Sequence, residues 1–351
     1  MNINRRFALG LGSVVAAAAV LGTTAATASA APDEVVDTEP ELESLIPGTA
    51  DVARRKVARK YRLETWIAKG TWSSYIGVAD PNGTVKAAVE ENADAVVEAY
   101  SVNKIAVAVA VLDKIDRGLL TLDQRVDVTA AIVIQDTDGI FALDGAYPSS
   151  VTIGHVLATL LTVSDNTCVR LCGLVAPALE INEILRGKGF VHTQVVPVAN
   201  PNRFYLGTTT PRETFTLLQK LVKGELLSPT STAYLLTILR SLTSFTDGIR
   251  LDLTSNERLQ VATKAGWFDD GRNEAGIVFD ASGKPIITYS LFASGTFRGD
   301  SAVNFDNYSS THPALKARTA LGRTLFDSVQ RITCTAPRSF RSQVFRAWKG
   351  A

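Results

Sequence analysis

The sequence has few of the residues from which metal and disulfide sites are built. Its 351 residues include only three cysteines and three histidines, and its formal net charge is only +1. Cys168 and Cys172 stand four positions apart in a stretch that we predict to be helical, a spacing that suits core packing better than a disulfide. With no histidine near them in sequence, a zinc site is not expected. The balanced charge gives the chain no electrostatic reason to bind nucleic acid or anionic lipid.

An internal repeat is also absent, as is an apolar run of the roughly 20 residues that a membrane-spanning helix needs. The apolar segment 7–22 follows Arg5 and Arg6 and precedes small residues that end at Ala30. This order predicts a signal peptide over residues 1–30, and the paired arginines also fit a twin-arginine signal. Its removal takes away two arginines and no acidic residue, so the net charge falls from +1 to −1. We therefore expect a secreted protein without a membrane span in its mature form.

The rest of the chain divides by composition into three parts. Residues 31–48 are rich in Asp and Glu among small residues and prolines, and they predict an acidic linker. Residues 49–335 are long enough to bury one large core. Residues 336–351 form a basic tail. We predict a single catalytic domain over 49–335, and nothing in the sequence requires a second subunit, so a monomer is expected.

The apolar patterns in this domain alternate between helix and strand. They predict a helix over 51–67, strands over 72–79 and 85–89 joined by an Asn82-Gly83 turn, and a closing helix over 312–332. Further strands are predicted over 259–264, 274–279 and 285–293, whereas residues 101–242 show helical periodicity and loops only. The fold class is therefore α/β (α+β), with a sheet started near the N-terminus and completed near the C-terminus.

Ser101 and Lys104 introduce an apolar run, 105–112, that predicts a helix. At this spacing a hydroxyl and an amine lie one turn apart at the start of a helix. Serine needs a neighbouring base to act as a nucleophile, and a lysine in a dry site can have its pKa lowered enough to serve. The amide groups of a helix N-terminus can also stabilise an oxyanion.

Two later segments carry polar groups suited to the same chemistry. Ser164 could relay a proton and Asn166 could hold a substrate amide, whereas Asp165 is expected to fix the loop. On a predicted strand, Lys264 could direct its charge into a cleft. Gly266 would let a substrate backbone lie against that strand, and the backbone N–H of Trp267 could be a second oxyanion donor.

These three segments, separated by 63 and 100 residues, resemble the motifs of class A β-lactamases and penicillin-binding proteins. The Thr208–Pro211 segment before a helix and the terminal strand-strand-helix are similar to class A regions as well. The resemblance to this serine β-lactamase superfamily covers about residues 70–335. It implies an antiparallel five-stranded sheet flanked by helices, an all-helical lobe, a cleft between them and no cofactor.

The resemblance also implies a role for each motif residue. Ser101 is then the acylated nucleophile and Lys104 its proton-handling partner, Ser164 passes a proton to the leaving group, and Asn166 binds the substrate. Lys264 supports Ser164 and a substrate carboxylate, and the amides of Ser101 and Trp267 form the oxyanion hole.

Two departures from class A affect the expected substrate. The loop 190–207 contains no carboxylate to activate the deacylating water, and none lies between Glu183 and Glu213. His192 is a candidate substitute, but it is expected at the surface. Ala265 stands where the family has Thr or Ser against the substrate carboxylate, and Ala275 where an assisting arginine is often found. Arg272, three residues earlier, could reach in instead.

Three functions remain open from the sequence. The first is a serine hydrolase that forms an acyl-enzyme on an ester or amide other than a typical penicillin. The second is a slow β-lactamase or penicillin-binding D-Ala-D-Ala peptidase. The third is a non-catalytic binding protein on the same fold. All three imply a small-molecule or peptide-like partner.

Overall fold

The three-dimensional structure is a computed structural model. It describes residues 48–135 and 139–334, together with the backbone of 44–45 and 338–339. The strands are β1 (Ser44–Leu45), β2 (Lys69–Ala79), β3 (Val85–Glu91), β4 (Val97–Glu98), β5 (Arg125–Val128), β6 (Ser149–Thr152), β7 (Gln194–Pro197), β8 (Phe204–Thr209), β9 (Val261–Phe268), β10 (Gly271–Phe279), β11 (Pro285–Phe297) and β12 (Arg338–Ser339).

The helices surround these strands. They are α1 (Ala50–Ala68), α2 (Lys104–Asp116), α3 (Ile140–Asp144), α4 (Ile153–Thr162), α5 (Thr167–Val175), α6 (Ala178–Gly187), α7 (Pro211–Val222), α8 (Pro229–Arg240), α9 (Ser255–Arg258), α10 (Ser301–Phe305) and α11 (Pro313–Thr333), and a 3-10 helix, Tyr100–Asn103, runs into α2. Across the described ranges, no helix has both the length and the apolar composition for crossing a membrane.

Five strands form the main sheet in the order β3-β2-β11-β10-β9, and every neighbouring pair is antiparallel. This arrangement confirms the predicted α+β class with its five-stranded antiparallel sheet. The N-terminal part of the chain supplies β2 and β3, and the C-terminal part supplies β9, β10 and β11. Because β9 is an outer strand, one of its edges is free to face the helical lobe.

The two faces of the sheet are covered by different helices. Side chains alternate between the faces of a strand, and in β10 Ile277 packs into the core of the helical lobe whereas Val278 packs against α1 and α11. The lobe is centred on α2, in which every residue from Lys104 to Leu112 is buried. A helix that is apolar on all sides is typical of the centre of a helical layer.

Two of the predicted helices, 51–67 and 312–332, are present and each begins directly after a capping residue. Helix α1 begins after Thr49, whose hydroxyl accepts a hydrogen bond from the Val52 amide. Helix α11 begins after His312, whose Nδ1 accepts the Ala314 amide at 3.1 Å. Such caps satisfy amides that the helix leaves unpaired. His312 thus has a structural role as the N-cap of α11.

The prediction that residues 101–242 contain no strand was wrong. Strands β5 and β6 pair with each other, and β7 and β8 join β4 in a three-stranded sheet. Each of these strands spans only two to six residues. Short strands of mixed composition give too few alternating positions for a period of two to be recognised. Their function is to hold loops of the helical lobe together.

Several predicted segments lie partly or wholly outside the described residues. The signal peptide (1–30), most of the acidic linker (31–48) and most of the basic tail (336–351) are in this group. The strands β1 and β12 fall within the linker and the tail, and they pair antiparallel with Ser44 opposite Ser339. The composition of those two segments does not indicate this ladder. The domain boundaries themselves stay predictions.

A fully buried ion pair joins the sheet to α11. Glu274 of β10 and Arg318 of α11 are both 0% exposed, and Nε of the arginine lies 3.5 Å from Oε2 of the glutamate. The Glu274 carboxylate also accepts hydrogen bonds from Thr263 Oγ1 at 2.8 Å and the Ile249 amide at 3.2 Å. Burial raises its pKa, and Arg318 opposes that rise. Two charges in a dry core depend on each other because neither can be solvated.

We expect Glu274→Ala to lower the free energy of unfolding by about 3–5 kcal/mol, because it leaves the Arg318 charge buried without a partner. The double variant Glu274→Leu/Arg318→Met removes both charges and should recover part of this loss. Urea denaturation of Glu274→Leu, Arg318→Met and the double variant measures the coupling between the two side chains. Losses that simply add up would contradict the coupling.

Candidate active site

The Ser101 hydroxyl is presented by a tightly held turn. The preceding residue, Tyr100, has a φ of 48°, a left-handed conformation that is a true outlier for a bulky side chain. The turn is fastened to β8, since the Ala99 amide donates to the Gly207 carbonyl at 2.9 Å. Asn103 Nδ2 donates to the carbonyls of Leu206 and Thr208 at 2.7 and 2.9 Å. These contacts fix the position of Ser101 before any substrate binds.

Ser101 itself is half-buried. Its hydroxyl has no hydrogen-bond partner among residues 48–135 and 139–334, so it is free to attack a bound molecule. Within the described ranges the lysines Lys104 and Lys264 are hydrogen-bonded to Ser164 and not to Ser101. Lys104 is three residues further along the chain, where the 3-10 helix becomes α2.

Two buried lysines converge on one hydroxyl. Lys104 Nζ and Lys264 Nζ each lie 3.0 Å from Ser164 Oγ. Lys104 also donates to the Ser164 carbonyl at 2.5 Å and to Asn166 Oδ1 at 2.8 Å, and Lys264 donates to the Ala265 carbonyl at 2.6 Å. Ser164 can serve both lysines because its backbone is left-handed, with a φ of 59°. The structure therefore brings together four predicted residues, namely Lys104, Ser164, Asn166 and Lys264.

Burial lowers the pKa of both amines. The pKa of Lys104 falls from 10.5 to about 7, chiefly because the charged form loses its hydration. Burial also lowers the pKa of Lys264 well below its usual value, and the neighbouring Lys104 lowers it further. Two like charges around a single hydroxyl are unfavourable in a dry site. At neutral pH Lys104 can thus be a neutral amine with a lone pair for an incoming proton.

The edge of β9 faces the turn that bears Ser101. The Phe279 amide donates to the Gln260 carbonyl, and in an antiparallel pair such hydrogen-bonded positions alternate with non-bonded ones. This alternation sets the even-numbered residues of β9 against β10. The peptide groups of Ala265 and Trp267 consequently point away from β10, toward the open edge. The hydrogen bond from Lys264 Nζ to the Ala265 carbonyl agrees with this orientation.

Gly266 allows the strand to lie directly against the nucleophile turn. A Cβ atom at this position would lie 2.7 Å from the backbone nitrogens of Ser101 and Val102. We expected the glycine to make room for a substrate backbone, but the structure fills that space with the protein's own backbone. The close approach places β9 against the amide of Ser101, the second residue of the 3-10 helix, and Trp267, the next residue of the strand, directs its amide to the same open edge. Two converging amides of this kind form an oxyanion hole.

Asp165 and Asn166 have different positions in their loop. Asp165 is buried, and its carboxylate accepts the amides of Phe141 at 3.0 Å and Thr167 at 2.7 Å. It therefore fixes the loop, as the sequence indicated. The Asn166 amide oxygen is bound to Lys104, which orients the side chain and leaves its nitrogen as a donor.

A family model described as the β-lactamase enzyme family matches residues 59–329. The chain belongs to the β-lactamase enzyme family. This confirms the resemblance that the three motifs carry.

Individual relatives of this β-lactamase-family protein are distant. β-Lactamase VEB-1 of Pseudomonas aeruginosa is 25% identical over 233 residues, covering 62% of this chain and 77% of that enzyme. A β-lactamase of Chitinophaga pinensis has a TM-score of 0.63 at 22% identity, covering 78% of this chain and 98% of that one. A mutant of PBP-A, in an acyl-enzyme complex with penicillin G, has a TM-score of 0.59 at 20% identity, covering 76% and 95%. These structural similarities show the shared fold.

The loop 190–207 contains no carboxylate, and the first one after it is already bound to the loop backbone. Glu213, the first acidic residue after the loop, accepts the amides of Val191, His192 and Thr193 at 2.7–3.0 Å. Its charge is used to hold the entry of the loop. The His192 side chain is exposed. The pKa of Asp94 is lowered chiefly by its hydrogen bond to Arg212, and His192 adds a smaller effect in the same direction. His192 is therefore at the surface, as its position in the sequence indicated.

Arg272 is not brought into the site. Its guanidinium is 0% exposed and donates to the carbonyls of residues 269, 271, 304, 305 and 307. The physical reason is strand parity, since residues three apart on a strand point to opposite faces. Ala275 shares the face of Lys264, so Arg272 lies on the other face. The expectation that Arg272 binds a substrate carboxylate is corrected accordingly.

The sequence did not identify three residues that shape the site. Tyr100 carries the strained backbone before Ser101, and its ring lies 6.0 Å from that of Phe268. Gly271 makes room for this ring, because a Cβ there would lie 2.1 Å from Tyr100 Cε2. Nothing in the local composition distinguishes these residues from ordinary turn and core residues. The indole of Trp267 packs against Phe245, away from the lysines.

We expect Gly266→Ala to slow the labelling of Ser101 by a fluorophosphonate by about 100-fold or more, because the new methyl group separates the two oxyanion donors. Gly187→Ala is the matched control, since a Cβ there meets no atom within 4 Å. Labelling rates followed by intact mass measure the effect. Equal rates in the two variants would contradict this role of Gly266.

We expect the same labelling rate to rise with pH through about 7, the pKa of Lys104. Below this pH the amine already holds a proton and cannot accept one from Ser101, so the rate should fall about tenfold per pH unit. Above it the rate should level off. Lys104→Met should be slow throughout, and a flat profile for the unmodified protein between about pH 5.5 and 8.5 would rule out Lys104 as the base.

Proposed function

We propose that this protein is an exported serine hydrolase that acts through an acyl-enzyme on Ser101, with an ester or amide other than a typical penicillin as substrate. The observation that carries the proposal is the pair of 3.0 Å contacts from the two buried lysines to Ser164 Oγ. Membership of the β-lactamase enzyme family supports the reaction class. The predicted signal peptide over residues 1–30 supports export, and the protein is expected to act as a monomer.

In the proposed acylation the site residues act one after another. Lys104, as a neutral amine, takes the Ser101 proton while Oγ attacks the substrate carbonyl carbon, and the amides of Ser101 and Trp267 stabilise the oxyanion. When the C–O or C–N bond to the leaving group breaks, the leaving group receives a proton through Ser164. Lys264 holds Ser164 in place, and Asn166 donates to the acyl portion.

Release of the acyl group is expected to be slow. Water must attack the Ser101 ester, and the loop 190–207 has no carboxylate to activate it. General-base catalysis contributes about 10²–10⁴-fold, so without it the acyl-enzyme should accumulate. Lys104, which is neutral again once its proton has passed to the leaving group, is the remaining base.

A slow β-lactamase or penicillin-binding peptidase is the second candidate. The similarity of the fold to PBP-A, which forms an acyl-enzyme with penicillin G, favours it. Ala265 and the inward-turned Arg272 weigh against it, because neither can bind a carboxylate. The third candidate, a non-catalytic binding protein, is hard to reconcile with two buried lysines that cost stability and serve no packing purpose.

The test is intact-mass analysis after incubation with β-lactams, activated esters and D-Ala peptides. We expect activated esters to add an acyl mass that Ser101→Ala abolishes and that persists for many minutes. Ser255→Ala, at an exposed serine, is the control and should label normally. Rapid labelling by penicillin alone would favour the second candidate, and no labelling by esters or by a fluorophosphonate would favour the third.

A further inference from the structure

Strand β9 continues past Trp267, the proposed second oxyanion donor, to Phe268. Phe268 follows Trp267 and has the same strand parity as Lys264 and Gly266, so its side chain lies on their face of the sheet. It is 59% exposed and contacts the ring of Tyr100, the residue before Ser101. An exposed Phe268 ring and a half-buried Tyr100 ring therefore lie next to the residue that bears the nucleophile.

Three carboxylates lie close to this aromatic pair along the chain: Asp269 follows Phe268, Asp270 precedes Gly271, which packs against the Tyr100 ring, and Glu98 lies two residues before Tyr100. Burial raises the pKa of Tyr100, and the charges of Asp270, Glu98 and Asp269 raise it further. Each of these carboxylates acts on the phenol more strongly than Arg272, which opposes them. Asp270 is tied to the Gly295 amide at 2.7 Å, whereas Glu98 and Asp269 are exposed. The electrostatic environment beside Ser101 is thus negative on this side.

The nearby cations do not neutralise it. Arg272 gives its donors to backbone carbonyls of the 304–307 segment and of the hairpin. Lys264 and Lys104 are bound to Ser164, and burial lowers the pKa of both. A carboxylated substrate would be repelled here. A cation would be attracted by the exposed carboxylates of Glu98 and Asp269 and by the faces of the aromatic rings.

We propose that the acyl group of the substrate carries a cationic amine that binds against Tyr100 and Phe268, between Glu98 and Asp269. This inference rests on the proposed function and names its substrate class. The acyl carbonyl lies in the oxyanion hole while the ammonium lies a few atoms away along β9. The same arrangement disfavours acyl groups with a carboxylate in that position.

The experiment compares three 4-nitrophenyl esters of equal length and differing charge: trimethylammoniobutyrate, its neutral tert-butyl isostere 5,5-dimethylhexanoate, and glutarate. The burst of nitrophenolate gives the second-order rate constant for acylation of Ser101. We expect the cationic ester to react about tenfold faster than the neutral one, and the carboxylate ester slowest. The preference should weaken as salt screens the carboxylates.

Glu98→Gln and Asp269→Asn should each reduce the ratio of cationic to anionic rates, and together they should bring it close to one. Asparagine is well tolerated at the left-handed backbone of Asp269, whose φ is 45°. Glu225→Gln, at an exposed turn after α7, is the charge-matched control and should keep the ratio of the unmodified protein.

Two results would overturn the inference, and they are distinguishable. If a fluorophosphonate labels Ser101 but the three esters react at equal rates, or the anionic ester reacts fastest, the charge preference is refuted and the hydrolase function stands. If neither the esters nor the fluorophosphonate modifies Ser101, the proposed function fails, and the substrate class fails with it.

Discussion

The structure depends on the enclosure of two lysines in a nearly dry space around Ser164. An ammonium group is strongly hydrated in water, and moving it into a protein interior is costly unless it gives up its proton or finds acceptors. Here the acceptors are the Ser164 carbonyl, the Asn166 amide oxygen and the Ala265 carbonyl. Each comes from a segment whose backbone is held in place by other contacts, so the surrounding fold can be understood as a support for these oxygens.

That support explains several otherwise unrelated details. The left-handed backbones of Tyr100 and Ser164 are unfavourable by roughly 1–3 kcal/mol each and persist only where neighbouring contacts enforce them. The small sheet of β4, β7 and β8 supplies such contacts for the nucleophile turn, and Asp165 supplies them for the Ser164 loop. The strain is located where the positions of reacting atoms must be fixed before substrate arrives.

Much of this arrangement could be read from the sequence, and the limits have physical causes. The long strands and helices were predictable because many residues share one period. The convergence of Lys104, Ser164 and Lys264 was predictable because three motifs at this spacing resemble one family. The strands β5 to β8 were missed because they are short. Arg272 was wrongly placed in the site because the prediction considered its closeness to Ala275 in sequence. It did not consider that side chains alternate between the two faces of a strand. Tyr100, Phe268 and Gly271 were missed because only three-dimensional contact reveals them.

The position of β9 in the sheet has a consequence for the newly made protein. Strand β9 reaches its place only through β10 and β11, which lie between it and β2, and these strands are among the last parts of the chain to be synthesised. An incomplete nascent chain can contain Ser101, Lys104 and Ser164, yet it lacks the strand that carries Lys264 and the second oxyanion donor. The proposed hydrolytic activity therefore requires a chain that has been translated through β11.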